Sequence, residues 1–393
     1  MTALEWIFWI SLFLTFYTFV GYGILLFFLI RIKRLWSPPQ TIKIVEEDLP
    51  TCALIIAAYN EESYIREKIQ NTLALQYPQG KLEIYFVTDG STDATPQIVQ
   101  EFPNQLHLRH EDARRGKIAA VHRVVEEVQA ELIIFTDANT FLNKEALMLM
   151  ARHFADPRVG AVSGEKRVAM EESADASSAG EGFYWKYESA LKKWDSELYS
   201  VVGTAGELFG IRRSLYVPVP SDTLLDDFMI SMRIAEQGYK VVYEPHAYAV
   251  EQASENVREE LKRKIRIAAG GVQSIVRLPR LFNVFAFPML SFQYISHRVL
   301  RWTITPWLMI VMFVLNAVLA MEIGGIYLWL MIGQIAFYGL ALLGWALSTQ
   351  SIKFKITFIP YYFCVMNYAV IAGLFRYLRG KQSVVWEKAS RKM

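Results

Sequence analysis

Three short polar clusters hold the residue types best suited to chemistry. Tyr59-Asn60-Glu61-Glu62, Asp89-Gly90-Ser91-Thr92-Asp93 and Asp137-Ala138-Asn139-Thr140 each follow an apolar run. Asp137 and Asn139 set two oxygen donors one residue apart, a pairing that suits Mg²⁺ or Mn²⁺ facing a diphosphate. Such a cation offsets the charge that builds on a nucleoside diphosphate as its sugar acquires oxocarbenium character. The adjacent acids Asp226 and Asp227 could supply the base that removes a proton from an acceptor hydroxyl. Arg114-Arg115-Gly116-Lys117, and the denser run Lys262, Arg263, Lys264 and Arg266, are cations of the kind that grip phosphate.

Each signal has a plainer alternative. Asp-Ala-Asn turns cap helices, paired acids sit at helix N-termini, and basic runs are solvated or rest on anionic headgroups. Trp185, Tyr187 and Trp194 could stack on a sugar, yet their helical spacing suits packing equally well. His246 and His297 are expected to be structural.

The clusters need a scaffold that brings them to one edge. Residues 52–58, 82–88 and 132–136 are apolar runs ending in polar residues, with helical patterns following at 61–75 and 117–128. This βαβ alternation predicts an α/β domain with a mainly parallel sheet, in which ligands bind beyond the carboxyl ends of the strands. Neither a Gly-x-Gly-x-x-Gly fingerprint nor a Walker loop occurs, which disfavours a dinucleotide site or a P-loop.

Of the 393 residues, 53% are hydrophobic and 20% charged, and the two kinds are segregated along the chain. Residues 6–30 carry no charge and are long enough to cross a hydrocarbon core of about 30 Å. The expected organisation is an N-terminal transmembrane helix (1–36), a linker (37–50), a cytosolic domain (51–280), an interfacial segment (281–302) and a C-terminal transmembrane bundle with a basic tail (303–393). Arg31, Lys33 and Arg34 place the domain on the cytoplasmic side of an inner (plasma) membrane that the chain crosses several times.

The C-terminal segments raise a parity problem. Candidate spans at 303–321, 326–347 and 356–378 would leave Arg376, Arg379, Lys381, Lys388, Arg391 and Lys392 on the far side, against the positive-inside rule. Either 281–297 also cross or a later segment is re-entrant. A net charge of +2 gives no case for nucleic acid. Cys52 and Cys364 form neither a metal spacing nor a disulfide framework.

Taken in order, the clusters resemble the processive, membrane-embedded family 2 glycosyltransferases, the group of hyaluronan, chitin and bacterial exopolysaccharide synthases. Residues 55–62 resemble that family's first strand and nucleotide contact, with Ala57, Tyr59 and Glu61, and residues 87–93 its second, with Asp89. Lys117 corresponds to its phosphate-contacting lysine, Asp137 and Asn139 to its Asp-x-Asp metal element, and 203–213 to its acceptor-side loop. Leu225-Asp226-Asp227 matches the Thr-Glu-Asp element, which implies Asp227 as the base and Asp226 as second choice. Arg263 and Arg266 fall in the Gln-x-x-Arg-Trp element, where this chain keeps the arginine and lacks the glutamine and tryptophan. Asn139 replaces the second aspartate, so a metal would rely on a neutral oxygen together with another carboxylate or the diphosphate.

The resemblance implies a GT-A-type nucleotide-binding domain and inverting transfer from a nucleotide sugar, a UDP-sugar first, to a growing polysaccharide. The partners it implies are a glycan or lipid-linked acceptor, the bilayer and export components. Single transfer to a polyprenyl phosphate or other lipid is the nearest alternative, and an inactive scaffold of a polysaccharide assembly is a second. A transporter is disfavoured, because the spans show neither inverted repeats nor ionisable residues deep in the membrane.

Overall fold

The computed structural model describes residues 1–38, 46–169, 176–252, 257–348 and 355–380. Much of the 37–50 stretch and all of the tail beyond Gly380 therefore lie outside the described residues. The strands are β1 (Cys52–Ala58), β2 (Leu82–Asp89), β3 (His107–Glu111), β4 (Leu132–Asp137), β5 (Thr140–Leu142), β6 (Val159–Val168), β7 (Leu208–Arg212) and β8 (Lys240–Glu251). They form one sheet in the order β3-β2-β1-β4-β7-β6-β8-β5.

The expectation of a mainly parallel sheet holds for β3-β2-β1-β4 and needs correction beyond it. β7 runs antiparallel to both β4 and β6, β5 runs antiparallel to β8, and only β6 and β8 restore a parallel pair. The sheet is mixed. The reversal matters for the site, because pairing Thr136 with Leu208 brings the loop before β7 to the carboxyl end of β4. Thr136 Oγ1 donates to the Glu207 carbonyl there at 2.8 Å.

Helices cover both faces. In chain order they are α1 (Ala3–Phe16), α2 (Tyr22–Trp36), α3 (Glu62–Leu73), α4 (Thr95–Gln100), α5 (Lys117–Glu127), α6 (Ala146–Ala151) and α7 (Ala176–Leu198). After them come α8 (Asp226–Glu236), α9 (Val257–Arg277), α10 (Pro288–Tyr294), α11 (Leu300–Trp302), α12 (Thr305–Glu322), α13 (Ile326–Ser348) and α14 (Lys355–Leu378). β1 is buried on both sides, as a central strand of such a sheet must be. Its Ala53, Ile55 and Ala57 face a core shared with α5 and α8, whereas Leu54, Ile56 and Ala58 face one shared with α3 and α6.

Two segments outside the expected domain limits pack on its core. Leu49, at the end of the expected linker, is 3% exposed and belongs to the α3-side core. The segment expected to be interfacial folds into α10 and α11, and its Leu281, Leu290, Tyr294 and Val299 join the α5-side core. The Trp302 ring packs tilted against Phe228 of α8, with centroids 5.3 Å apart.

A buried polar cluster fastens the domain to the N-terminal helix. His297 lies between Asp195 and Glu188, which both come from α7, and Tyr22 of α2 donates to the same Asp195. Arg298 and Arg301 each reach Glu188 at 2.8 Å. Burial alone would raise the Glu188 pKa, but Arg298, His297 and Arg301 hold it well below the usual carboxylate range. His297 is structural as expected, in a denser ionic setting than its sequence neighbours indicate. Removing one member of a buried ion cluster strands the others, at about 3–5 kcal/mol. Glu188→Ala should lose that much in chemical denaturation followed in detergent, while Arg34→Ala, which breaks an exposed pair with Glu197, should lose under about 1 kcal/mol.

Among the described residues four helices are long and apolar enough to cross a membrane: Ala3–Trp36, Thr305–Glu322, Ile326–Leu347 and Ile356–Leu378. The first joins α1 to α2 through a π-helical turn at Tyr17–Gly21. Tyr187 donates to the Phe19 carbonyl at 2.9 Å and Trp194 sits 6.0 Å from Phe27, so both aromatics of α7 pack on this helix. The side chain of Trp185 lies outside the described residues.

Candidate active site

The carboxyl ends of β1, β2 and β4 meet the N-terminus of α5 in a cleft lined by Ala57, Tyr59, Asp89, Arg114 and Lys117. Its wall is held by backbone. Asp89, the last residue of β2, accepts from the N–H groups of Arg115 and Gly116, at 3.0 and 2.6 Å. That grip requires a tight approach: Gly90 has φ +67°, and a Cβ there would lie 2.6 Å from the Cβ of Arg114. The Arg114 guanidinium covers the Tyr59 ring at 3.7 Å, a cation–π contact that closes one side of the cleft.

Glu61 stands apart from that lining. It is 2% exposed at the start of α3, where its N–H donates to Thr95 Oγ1 at 2.9 Å. It therefore shapes the turn that carries Tyr59.

Lys117 opens α5 and ties the two acidic elements together. Its Nζ lies 2.9 Å from Asp137 Oδ1 and 3.5 Å from Asp226 Oδ2. Burial works against its charge, but Asp137 and Asp226 raise its pKa above the ordinary lysine value. Burial in turn pushes the Asp137 pKa up, with Lys117 opposing. Asn139, one turn position on, is 8% exposed, and its Oδ1 meets no donor among the described residues.

Asp226 and Asp227 form the first turn of α8, where the helix dipole favours negative charge. Even so, burial and the neighbouring Asp226 raise the pKa of Asp227 to about 7, against the pull of Lys117. The 203–207 loop lies over it. Thr204 Oγ1 donates to the Asp227 carbonyl at 2.9 Å, and a Cβ on Gly206 would lie 3.4 Å from Asp227 Oδ2. Gly203 has φ +84° and presses on the Phe228 ring so closely that no side chain fits.

Arg263 and Arg266 lie on α9, beside the site. Arg263 pairs with Glu260 at 3.0 Å and also feels the charges of Glu251 and Glu207. Arg266 is half-buried one turn further on.

Two groups with a bearing on the site escape a reading of sequence motifs. Glu207 ion-pairs with Lys166, which also pairs with Glu251; burial opposes its ionisation, yet Lys166 and then Arg263 bring its pKa down to about 2. Lys68 of α3 is fully buried and donates to the Thr140 carbonyl at 2.6 Å and to Thr136 Oγ1 at 3.3 Å. It thus supports both ends of the Asp137–Asn139 turn, and burial lowers its pKa to about 7. The signal for Lys68 was available, since it shares the stripe of Ile65, Ile69 and Thr72 that α3 buries.

As a metal centre the site is open. Among the described residues no group of three or more His, Cys, Asp or Glu surrounds one point. Asp137 with the buried Oδ1 of Asn139 fits a hard cation that takes its remaining oxygens from water and phosphate, the habit of Mg²⁺ and Mn²⁺.

Comparison with known proteins agrees with this geometry. Residues 53–217 match the family Glycosyl transferase family 2, a region that includes Asp89, Lys117 and Asp137 and ends before Asp226. The chain is similar to the poly-beta-1,6-N-acetyl-D-glucosamine synthase of Staphylococcus aureus (strain COL), 27% identical over 240 residues. That match covers 59% of this chain and 57% of the synthase. The Staphylococcus epidermidis synthase is 25% identical over 245 residues, covering 60% and 58%. The chain thus spans rather more than half the length of these curated relatives. Among solved structures it is similar to the mannosyltransferase PcManGT of Pyrobaculum calidifontis, described in complex with GDP-Man and Mn²⁺, with a TM-score of 0.72 and 26% identity. That likeness covers 96% of this chain and 100% of the mannosyltransferase. With the strand order, the cleft at the strand ends and the family match in agreement, residues 53–217 are a family 2 glycosyltransferase domain of GT-A-like fold.

Proposed function

We propose that the protein transfers a sugar from a nucleotide donor to a growing polysaccharide by a single inverting displacement. The observation that carries this reading is Lys117 bridging Asp137 and Asp226, next to a half-buried Asp227 whose pKa of about 7 suits a base at neutral pH. The nucleotide occupies the cleft between Tyr59, Asp89 and Arg114. The acceptor hydroxyl approaches from the 203–207 loop, and Asp227 takes its proton. The hydroxyl oxygen bonds to the anomeric carbon as the bond from that carbon to the diphosphate breaks, and the nucleoside diphosphate leaves. Lys117 offsets the charge that appears on it, with Arg263 and Arg266 adding positive potential from α9. A bound Mg²⁺ or Mn²⁺ would be held by Asp137 and Asn139 and would neutralise part of the diphosphate charge.

The synthase relatives, named for a polymer of N-acetylglucosamine, support a polymeric product, for which a UDP-sugar is the first donor to test, and the basic flank Arg31, Lys33 and Arg34 supports a cytoplasmic catalytic domain. The mannosyltransferase likeness runs along nearly the whole chain and supports GDP-mannose as a second candidate donor, and the second reading of the product is single transfer to a polyprenyl phosphate or other lipid. Purified protein in nanodiscs, offered labelled UDP-N-acetylglucosamine or GDP-mannose, separates the two by which label is incorporated and by product length. Failure to transfer or hydrolyse any nucleotide sugar would leave the inactive scaffold. Chelation should lower transfer by about 10²-fold or more, and added Mn²⁺ should restore it. Full activity in excess EDTA would remove the metal from the scheme.

A further inference from the structure

Lys117 serves two sites. Its side chain lines the cleft with Tyr59, Asp89 and Arg114, while its Nζ is engaged by two acids, 2.9 Å from Asp137 Oδ1 and 3.5 Å from Asp226 Oδ2. The root of this side chain is fixed and its tip is not. Gly116 turns the chain into α5 with φ +97°, and the Asp89 carboxylate holds the N–H groups of Arg115 and Gly116 just before Lys117. From that anchor a flexible four-carbon stem carries the ammonium, and rotamer changes along it aim the charge at different points. The side chain keeps 22% of its surface exposed, as part of the cleft wall.

Asp137 is claimed twice. In the Asp137–Asn139 pair the charge lies wholly on Asp137, since Asn139 offers a neutral oxygen, and Lys117 already engages one of the Asp137 carboxylate oxygens. A hard dication bonds a carboxylate oxygen at about 2.0–2.6 Å, closer than the ammonium stands. The Asp137 side chain is only 14% exposed, so little water screens the repulsion between an ammonium and a dication on the same carboxylate.

Formal charge points the same way. Asp137, Asp226 and Lys117 together carry one net negative charge. A dication alone would turn this corner positive around an ammonium. The diphosphate of a nucleotide sugar, with two negative charges, would alone make it strongly negative. Together they restore the starting charge, provided that the ammonium turns to face the phosphates. Asp227 adds at most one negative charge to each case and leaves their order unchanged.

We infer that Lys117 is an exchangeable counter-cation, which neutralises Asp137 and Asp226 and gives up Asp137 for the diphosphate when a nucleotide and its metal enter the cleft. Metal uptake then depends on nucleotide, and it is the lysine that imposes the dependence. Lys117 can act in this way only if the cleft takes a nucleotide diphosphate, as proposed above, whatever the sugar and the acceptor.

Mn²⁺ binding to the full-length protein in nanodiscs of zwitterionic lipid tests this without turnover. The electron paramagnetic resonance signal of free Mn²⁺ is read at about pH 8, where carboxylates are ionised, and corrected for metal held by free nucleotide. Wild type should bind Mn²⁺ weakly alone and about 10-fold or more tightly with UDP or GDP present. Lys117→Met should bind Mn²⁺ alone about 10-fold or more tightly than wild type does, and the gain from nucleotide should shrink. Lys117→Gln, whose amide can still donate to Asp137, should shift the same way, and it replaces Lys117→Met if that variant does not fold. Unchanged or weaker Mn²⁺ binding by the folded variants without nucleotide, with nucleotide-assisted binding intact in wild type, would overturn the exchange and leave the proposed function standing. Failure of wild type to bind Mn²⁺ with either nucleotide would remove the metal from the proposed function and the exchange with it.

Discussion

Asp227→Asn is expected to lower kcat by about 10²–10⁴-fold and to leave KM for the donor near its native value. The variant keeps the shape of the side chain and removes only its ability to take a proton. Asp226 is poorly placed to substitute, because it faces Lys117 at 3.5 Å while Asp227 faces Gly206 of the acceptor-side loop. The pH profile supplies the matching signature. Burial and Asp226 raise the Asp227 pKa to about 7, and a base works only when deprotonated. Activity should therefore climb as pH rises through about 7 and then level off. The residual activity of Asp227→Asn should lack that limb. Near-native turnover in Asp227→Asn, or an unchanged limb, would assign the base elsewhere.

The second large effect belongs to Lys117. Lys117→Met removes the cation that Asp137 and Asp226 share, leaving uncompensated negative charge where a diphosphate must bind. A loss of about 10²–10³-fold in kcat/KM is expected, with part of it in the donor KM. Lys117→Arg should recover little, because a planar fork cannot reproduce a point charge between two carboxylates at these distances. A further readout distinguishes electrostatics from damage to the fold. Lys117 lowers the Asp227 pKa, so in Lys117→Met the pH limb should move to higher pH. A limb that stays in place while activity falls would mean that Lys117 acts on donor alone.

Both predictions rest on residues legible before the fold was known, and the reason is local. β1 runs apolar up to the polar cluster that starts at Tyr59, β2 and β4 are apolar runs ending in an aspartate, and α5 and α8 begin at the charges that matter. In a parallel sheet that arrangement delivers side chains to one edge without further information. The direction of β7 was not legible, since an isolated five-residue strand reads the same either way. Its antiparallel seat beside β4 is a tertiary outcome, and it is what carries Glu207 and the 203–207 loop to the site. The ionic cluster around His297 was hidden for a similar reason: its carboxylates come from α7, about a hundred positions earlier in the chain.

The hold of Asp89 on Arg115 and Gly116 has a thermodynamic consequence. The loop that walls the cleft is already fixed by two backbone hydrogen bonds to a carboxylate, and the Tyr59 ring is already capped by Arg114. A donor entering this cleft finds its wall assembled, so little of the binding free energy goes into immobilising chain. On the proposed mechanism more of the nucleotide's interaction energy would then hold the sugar at the angle the displacement requires, and the wall is expected to keep its conformation when a donor binds.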